Sequence, residues 1–415
     1  MEAEIIAIGS ELLTPDRLDT NSLYLTEKLN RAGFDVHLKT IVGDNAADIE
    51  KVLLAAMKRS QLIVLCGGLG PTEDDLTRVA TAAALGRSLT LNEEILESLR
   101  RRFASRGYRM ARNNERQAQV IEDAEILHNP VGTAPGMWIE EAGVSLALLP
   151  GPPRELQAMF ESGIMPRAVR LGGGRRLEKR SFSLQGLPES EVDTRIAPIY
   201  TKYPMIQTTI LAGGGCIFIR LQRWLAPGEQ AADLEELAGK IFEELGDIVF
   251  TTADETLEEV VGKMLRQSGR SIAVAESCTA GLIGSAITRV PGSSDYFQGG
   301  ILCYSNGLKS ELCGVPRELL ERHGAVSAEV AEALARGVRT AAHSSIGLAV
   351  TGIAGPSGGS EQKPVGLVYF GLADEHHCIH VRRIFPGDRA TVRELAATFA
   401  LGCLRRFLMP AETTS

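Results

Sequence analysis

Short apolar runs alternate with stretches of helical periodicity over roughly the first 170 residues. Residues 4–9 (EIIAIG) are predicted as a strand, Thr20 to Ala32 as a helix ended by Gly33, residues 34–44 (FDVHLKTIVGD) as a strand and Ala46 to Arg59 as a helix. Residues 62–66 (LIVLC) are apolar throughout, as in a strand covered on both faces, and a helix is predicted from about Asp75. Residues 144–151 (VSLALLPG) are a late strand. This alternation predicts a parallel sheet, whose strand carboxyl ends share one edge and carry the ligand sites.

The pattern then breaks. Residues 171–180 (LGGGRRLEKR) are glycine-rich, then basic, and are predicted as a linker. Residues 181–250 hold three strand-like runs (RSFSLQGL, IQTTILAGG, CIFIRLQRW) and a helix from Glu229 to Leu245, a small α+β module. After a second break near Thr251–Glu255 the α/β pattern resumes. A helix is predicted at Leu257–Gln267, a strand at 271–276 (SIAVAE), a helix at Ala280–Thr288 and a strand at 299–306 (GGILCYSN). Ser327–His343 is a long helix, residues 345–352 (SIGLAVTG) a strand, KPVGLVYFGLAD with HCIHVRRIF a hairpin, and Ala390–Leu408 the closing helix. At 415 residues the chain exceeds one hydrophobic core, and three α/β or α+β domains are expected, at 1–170, 175–250 and 255–410.

Composition narrows the function classes. Apolar residues make up 44% and charged residues 23%, as in soluble globular proteins. A net charge of −8 argues against a general nucleic-acid binder, which needs clustered Lys and Arg. The acidic lead MEAEIIAIGSELL does not read as a signal peptide, and no run approaches the roughly 20 apolar residues of a membrane helix. The seven cysteines are scattered without a CxxC pair and read as reduced thiols, so a cytoplasmic location is expected.

Two segments carry candidate chemistry. Gly67, Gly68 and Gly70 follow a predicted strand, where glycine lets a backbone approach a phosphate. Thr72 beside them either binds that phosphate or caps a helix. Glu11, Asp44, Asp74 and Asp75 each sit at or just after a strand end, so the four carboxylates are candidates to converge on a divalent cation that activates water against a pyrophosphate, with Asp75 the one expected in catalysis. The plainer alternative is that Asp74 and Asp75 cap a helix and Glu11 caps another. The basic run Arg100, Arg101, Arg102, Arg106, Arg109 and Arg112 reads as a solvated helix face. Downstream, Ser277 lies between a strand and a helix, a nucleophile with its oxyanion at a helix N-terminus or simply an N-cap. Cys278 is a rival nucleophile with no motif histidine beside it. TGIAGPSGG, with Thr351, Gly352, Gly355 and Gly358, suits a loop around a phosphate or ribose, and Arg389 suits a phosphate or carboxylate. HHCIH (376–380) reads as a solvent-facing edge strand, not a metal site.

The order of the motifs IGSELL (8–13), DTNS (19–22), VGDN (42–45), GGLGPTEDD (67–75), NPVGTAPG (129–136) and LPGPPRE (149–155) resembles the molybdopterin-binding-like domain that begins proteins of the CinA family. AESCTAGL (275–282), YSNGLK (304–309), TGIAGPSGG (351–359) and PGDR (386–389) resemble that family's C-terminal amidase domain. The resemblance covers essentially the whole chain. It implies a KH-like middle domain and a homodimer. It also implies deamidation of nicotinamide mononucleotide at Ser277, with Tyr304 and Lys309 relaying the proton and no cofactor at that site. For the N-terminal domain it implies metal-dependent hydrolysis of ADP-ribose to AMP and ribose 5-phosphate. Both ligands are nucleotides, and no membrane partner is expected. The competing reading is a non-catalytic adaptor, binding a cofactor or nucleic acid and linked to competence or DNA damage. Residues 175–250 contain Gly213, Gly214 and Gly215 but no GxxG loop to clamp a nucleic-acid backbone, which disfavours it.

Overall fold

The computed structural model describes residues 1–105 and 107–409; Arg106 of the basic run lies outside them. The N-terminal part runs β1 (Glu2–Ile8), α1 (Thr20–Arg31), β2 (Asp35–Val42), α2 (Ala46–Ala56), β3 (Leu62–Cys66), α3 (Thr77–Leu85), β4 (Leu89–Leu91), α4 (Glu93–Ser105), β5 (Gln119–Ile121), β6 (Glu125–Leu127), β7 (Gly136–Glu141), β8 (Val144–Leu149), α5 (Pro153–Met159) and α6 (Met165–Leu171). Six strands form one sheet in the order β2-β1-β3-β8-β7-β6. The first four are mutually parallel, and β7 and β6 add on antiparallel. Every residue of β3 and β8 is buried, which is why both read as unbroken apolar runs. One face packs Leu25 and Leu29 of α1 with Leu156 and Met159 of α5; the other packs Ile49 and Leu53 of α2 with Ala80 of α3. The expected parallel sheet is thus a mixed one: Ala142–Gly143, at φ 51° and 82°, turn the chain back between β7 and β8.

The chain continues through β9 (Arg176–Leu184), α7 (Glu189–Tyr200), β10 (Gln207–Gly213), β11 (Cys216–Leu225), α8 (Ala232–Leu245) and β12 (Val249–Thr251), a four-stranded sheet in the order β10-β11-β9-β12. Two expectations fail here. Half of the predicted linker is strand β9, which runs from exposed and half-buried residues at 176–181 into buried Phe182, Ser183 and Leu184. Helix α7 was masked by Pro198, which sits in its last turn where only the helix end is at stake.

The C-terminal part runs α9 (Leu257–Ser268), β13 (Ile272–Glu276), α10 (Leu282–Thr288), β14 (Phe297–Leu302), α11 (Asn306–Cys313), α12 (Arg317–His323), α13 (Ala328–Ala341), β15 (Ile346–Gly352), β16 (Leu367–Ala373), β17 (Cys378–Ile384) and α14 (Arg389–Leu408). Its sheet has the order β14-β13-β15-β16-β17, with the first three strands parallel and the last two antiparallel. A capping box of Thr256 and Glu259 starts α9, and Gly269 at φ 63° ends it. Backbone contacts divide the chain into two units, Met1–Glu178 with Trp224–Ala231, and Lys179–Arg223 with the chain from Ala232 onward. Among the described residues no helix is long and apolar enough to cross a membrane.

Two candidate functional sites

In the N-terminal unit the carboxyl ends of β1, β3 and β8 open onto a cavity of about 650 Å³. Glu11, Asp44, Gly67, Gly68, Gly70, Thr72, Asp74 and Asp75 all line it, so the structure gathers the predicted residues at one edge. Their roles within the fold differ from expectation. Asp75 does not cap α3, which starts at Thr77. One carboxylate oxygen of Asp75 accepts the Gly70 amide at 2.7 Å, and the other accepts the Thr72 amide at 2.8 Å and the Thr72 hydroxyl. Asp75 therefore folds the loop that holds it. Asp44 accepts the Ser10 amide at 2.7 Å, while Ser10 Oγ accepts the Asp44 amide. Among the described residues no group of three His, Cys, Asp or Glu side chains is drawn together around one point, so Glu11, Asp44, Asp74 and Asp75 share the cavity wall as separate carboxylates.

The glycines also acquire a structural reason. A Cβ on Gly67, at φ 108°, would stand 2.0 Å from the Ile8 carbonyl, and one on Gly70 would stand 2.4 Å from Asp75 Oδ2. Close packing against backbone therefore demands glycine at Gly67, with or without a phosphate, while Gly70 leaves room for the Asp75 carboxylate. Sequence reasoning missed Arg78. Its side chain is buried, with Nη1 on the Leu69 carbonyl and Nη2 on the Gly70 carbonyl, both at 2.9 Å, and burial lowers its guanidinium to about 10. Thr77 Oγ1 donates to the Gly67 carbonyl at 2.7 Å, and Asn21 Nδ2 ties the DTNS segment to the Gly151 carbonyl at 2.8 Å. The Glu155 carboxylate, held by Asn129 Nδ2 at 2.7 Å, is a further wall of the cavity that sequence reasoning passed over. Six carboxylates line the cavity (Glu11, Asp19, Asp44, Asp74, Asp75, Glu155) against one cation, Arg17. Of the basic run, Arg100 and Arg101 are exposed beside Glu97, as expected, but Arg102 leaves that face and donates to the Val131 and Gly132 carbonyls.

In the C-terminal part a cavity of about 180 Å³ is lined by Ser277, Cys278, Tyr304, Asn306, Lys309, Thr351, Gly352 and Arg389, among others. Gly355 and Gly358 do not line it; the Gly355 carbonyl reaches it only by accepting Arg389 Nη1 at 2.9 Å. Ser277 is 8% exposed and thus buried. It is not an N-cap: the residue before α10 is Gly281, and no side chain caps that helix. The first backbone donors of α10 are already taken. Glu276, 1% exposed, accepts Gly281 N at 2.9 Å and Ile283 N at 3.1 Å on one oxygen and Gly284 N at 2.9 Å on the other. The expected oxyanion site at this helix end is occupied by the protein's own carboxylate.

Lys309, 1% exposed, comes from the second turn of α11, whose N-cap Ser305 sets its direction. Its Nζ lies 3.1 Å from Ser277 Oγ, 2.7 Å from the Cys303 carbonyl and 3.2 Å from the Tyr304 carbonyl. Burial holds its ammonium below the ordinary lysine value. The three contacts suit the three N–H groups of an ammonium, and on losing a proton the amine keeps two for the carbonyls and a lone pair for the serine hydroxyl. Tyr304 does not stand between serine and lysine. Its hydroxyl accepts Arg389 Nη2 at 3.0 Å, and the ring is largely exposed. Burial pushes the Cys278 thiol up to about 11, away from thiolate character. Thr351 Oγ1 donates to the Ala325 carbonyl at 2.7 Å and so shapes the wall. The HHCIH segment ends in β17, the edge strand, where His380 Nδ1 is 2.7 Å from Glu332 Oε1.

Comparison with known proteins gives two family matches. Residues 4–170 match the model of a probable molybdopterin binding domain, and residues 254–408 that of the CinA C-terminal domain. A CinA-like protein of Solibacter usitatus is 48% identical over 98% of this chain and 98% of its own. One from Koribacter versatilis is 48% identical over 99% of this chain and 100% of its own. A putative competence-damage inducible protein of Acetivibrio thermocellus is 40% identical over 99% of both.

Proposed function

The chain belongs to the CinA family, and from that premise we propose that its C-terminal domain deamidates nicotinamide mononucleotide to nicotinate mononucleotide and ammonia. The observation that carries this reading is Lys309 Nζ held 3.1 Å from Ser277 Oγ in a buried pocket. Ser277 Oγ attacks the carboxamide carbon as its proton passes to neutral Lys309. Lys309 returns that proton to the departing nitrogen, so ammonia leaves and an ester on Ser277 remains. Water, deprotonated by Lys309, then attacks the ester carbon; the C–Oγ bond breaks, Lys309 returns the proton to Ser277 Oγ, and the product leaves as the carboxylate. Arg389, steadied by the Tyr304 hydroxyl and the Gly355 carbonyl, faces the nucleotide phosphate or the new carboxylate. Tyr304 in this reading positions Arg389 and carries no proton. The experiment is ammonia release from nicotinamide mononucleotide by the purified chain, its Ser277→Ala variant and its Lys309→Met variant. Full activity in either variant would sink the mechanism.

The N-terminal cavity is proposed to take ADP-ribose and release AMP and ribose 5-phosphate. Its size supports a ligand of that class. Its carboxylate lining would repel a bare pyrophosphate, so a divalent cation is the expected requirement, with no coordination assigned to individual side chains. AMP release measured with magnesium or manganese, and again in excess chelator, tests this. Equal rates in both would remove the cation from the proposal.

A further inference from the structure

Residues 277–281 form a turn between β13 and α10 that the backbone holds in an unfavourable shape. Ala280 lies at φ 47° and Gly281 at φ 96°. A non-glycine residue in the left-handed region costs about 1–2 kcal/mol and persists only where its surroundings enforce it. Two buried or half-buried charges do so from opposite elements. From β13, the Glu276 carboxylate gathers the amides of Gly281, Ile283 and Gly284. From α14, one helical turn beyond Arg389, Arg393 Nε donates to the Cys278 carbonyl and its Nη2 to the Thr279 carbonyl, both at 3.0 Å. The guanidinium fork thus grips two successive carbonyls immediately after the serine, a geometry lysine cannot copy.

Neither charge meets the cavity, since neither lines it. Their effect on chemistry passes through the turn. Ser277 has its amide on the Val350 carbonyl at 3.0 Å and its hydroxyl on Lys309, so the remaining freedom of its Cα–Cβ bond is set by where the turn departs. We propose that Glu276 and Arg393 are positioning residues for the Ser277 hydroxyl, together imposing the turn that aims Oγ at Lys309 Nζ. This deepens the amide-hydrolase reading and rests on Ser277 being its nucleophile. It also explains why the donors of α10 are spent on a carboxylate: they fix the nucleophile's platform instead of meeting the reaction's charge.

The test uses the full chain with Arg393→Lys and Glu276→Gln, and reads two quantities. The first is the rate of covalent labelling by a fluorophosphonate probe, in which Ser277 Oγ bonds to phosphorus, fluoride leaves and the hydroxyl proton goes to Lys309. The second is kcat and KM for ammonia release, with the pH profile. A misaimed nucleophile loses about 10- to 100-fold in rate. Arg393→Lys should therefore lower both labelling and kcat by about 10-fold or more, with KM changed less than about twofold. The acid limb of the profile should keep its position, because Lys309 is untouched. Glu276→Gln should act in the same direction, and Arg393→Lys guards against that variant failing to fold. Unchanged labelling in a folded Arg393→Lys overturns the proposal, as does a loss of labelling that only mirrors a loss of folded protein by circular dichroism. Wild-type protein whose Ser277 takes no label overturns it as well. If the label goes on and slows in the variants, but no ammonia is released from nicotinamide mononucleotide, the positioning stands and the substrate reading alone fails.

Discussion

Ser277 and Lys309 are 32 positions apart in sequence and 3.1 Å apart in space. Because burial lowers the lysine's proton affinity, the reactive neutral form gains population as pH rises through that lowered value, at a pH where an exposed lysine is still charged. Ammonia release plotted as log kcat/KM against pH should climb on its acid side and level off below lysine's usual ~10.4. A profile flat across that range would exclude Lys309 as the base. Ser277→Ala should lower kcat by at least about 10³-fold, since the nucleophile and its base act as a unit. The same buried pair shows what was legible at this scale. SCTAGL placed a serine after a strand, but nothing in spacing said that its neighbour Glu276 would consume the helix donors or that Arg393, 115 positions on, would take the Cys278 carbonyl. Side-chain partners at such separations are set by packing of whole elements.

Elements were legible where burial leaves a periodic trace. LIVLC and SIAVAE are strands because both faces are covered, and their apolar runs say so. The three-residue strands β4, β5 and β6 left no such trace, and α7 was obscured by Pro198. The glycine-rich loop after β3 was legible as special but for an incomplete reason: its glycines fit against Ile8 and Asp75, whatever ligand lies beyond. Gly67→Ala should therefore destabilise the N-terminal unit by about 2–4 kcal/mol even without ligand, from combined φ strain and a clash with backbone. Denaturant unfolding followed by tryptophan fluorescence, with Trp138 in β7 as reporter, measures it. A change under 0.5 kcal/mol, about the scatter of a neutral surface substitution, would mean the loop yields easily. Asp75→Ala removes three hydrogen bonds from the same loop, so loss of AMP release in that variant argues catalysis only if the loop keeps its amide protection.

At the scale of the molecule, α14 joins the middle sheet to the C-terminal site. On one side Arg389 and Arg393 lie at the C-terminal cavity and the turn after Ser277. On the other, Arg405 donates to the Asp247 and Val249 carbonyls at 2.8 Å each, and Gln185 Nε2 donates to the Thr398 carbonyl at 3.0 Å. Gly402 is small because Gln185 lies against it: a Cβ there would stand 1.5 Å from Oε1. Cys216 of β11 and Phe250 of β12 belong to the same apolar core as Val392 and Leu404 of α14. The middle sheet is thus bound into the C-terminal part by exposed and part-buried hydrogen bonds and by a buried apolar core, although the sequence marked a break near Thr251–Glu255. A break in composition reports where regular structure stops and is blind to the contacts that span it. Each hydrogen bond from a charged donor contributes about 1.5–3 kcal/mol, so Arg405→Ala should free β12 selectively. Amide exchange at residues 249–251 should quicken by at least about 10-fold, the equivalent of 1.4 kcal/mol, while exchange in β13 and ammonia release stay unchanged. Exchange quickening equally in β13 and β12 would show that the middle sheet and the C-terminal sheet open as one cooperative body.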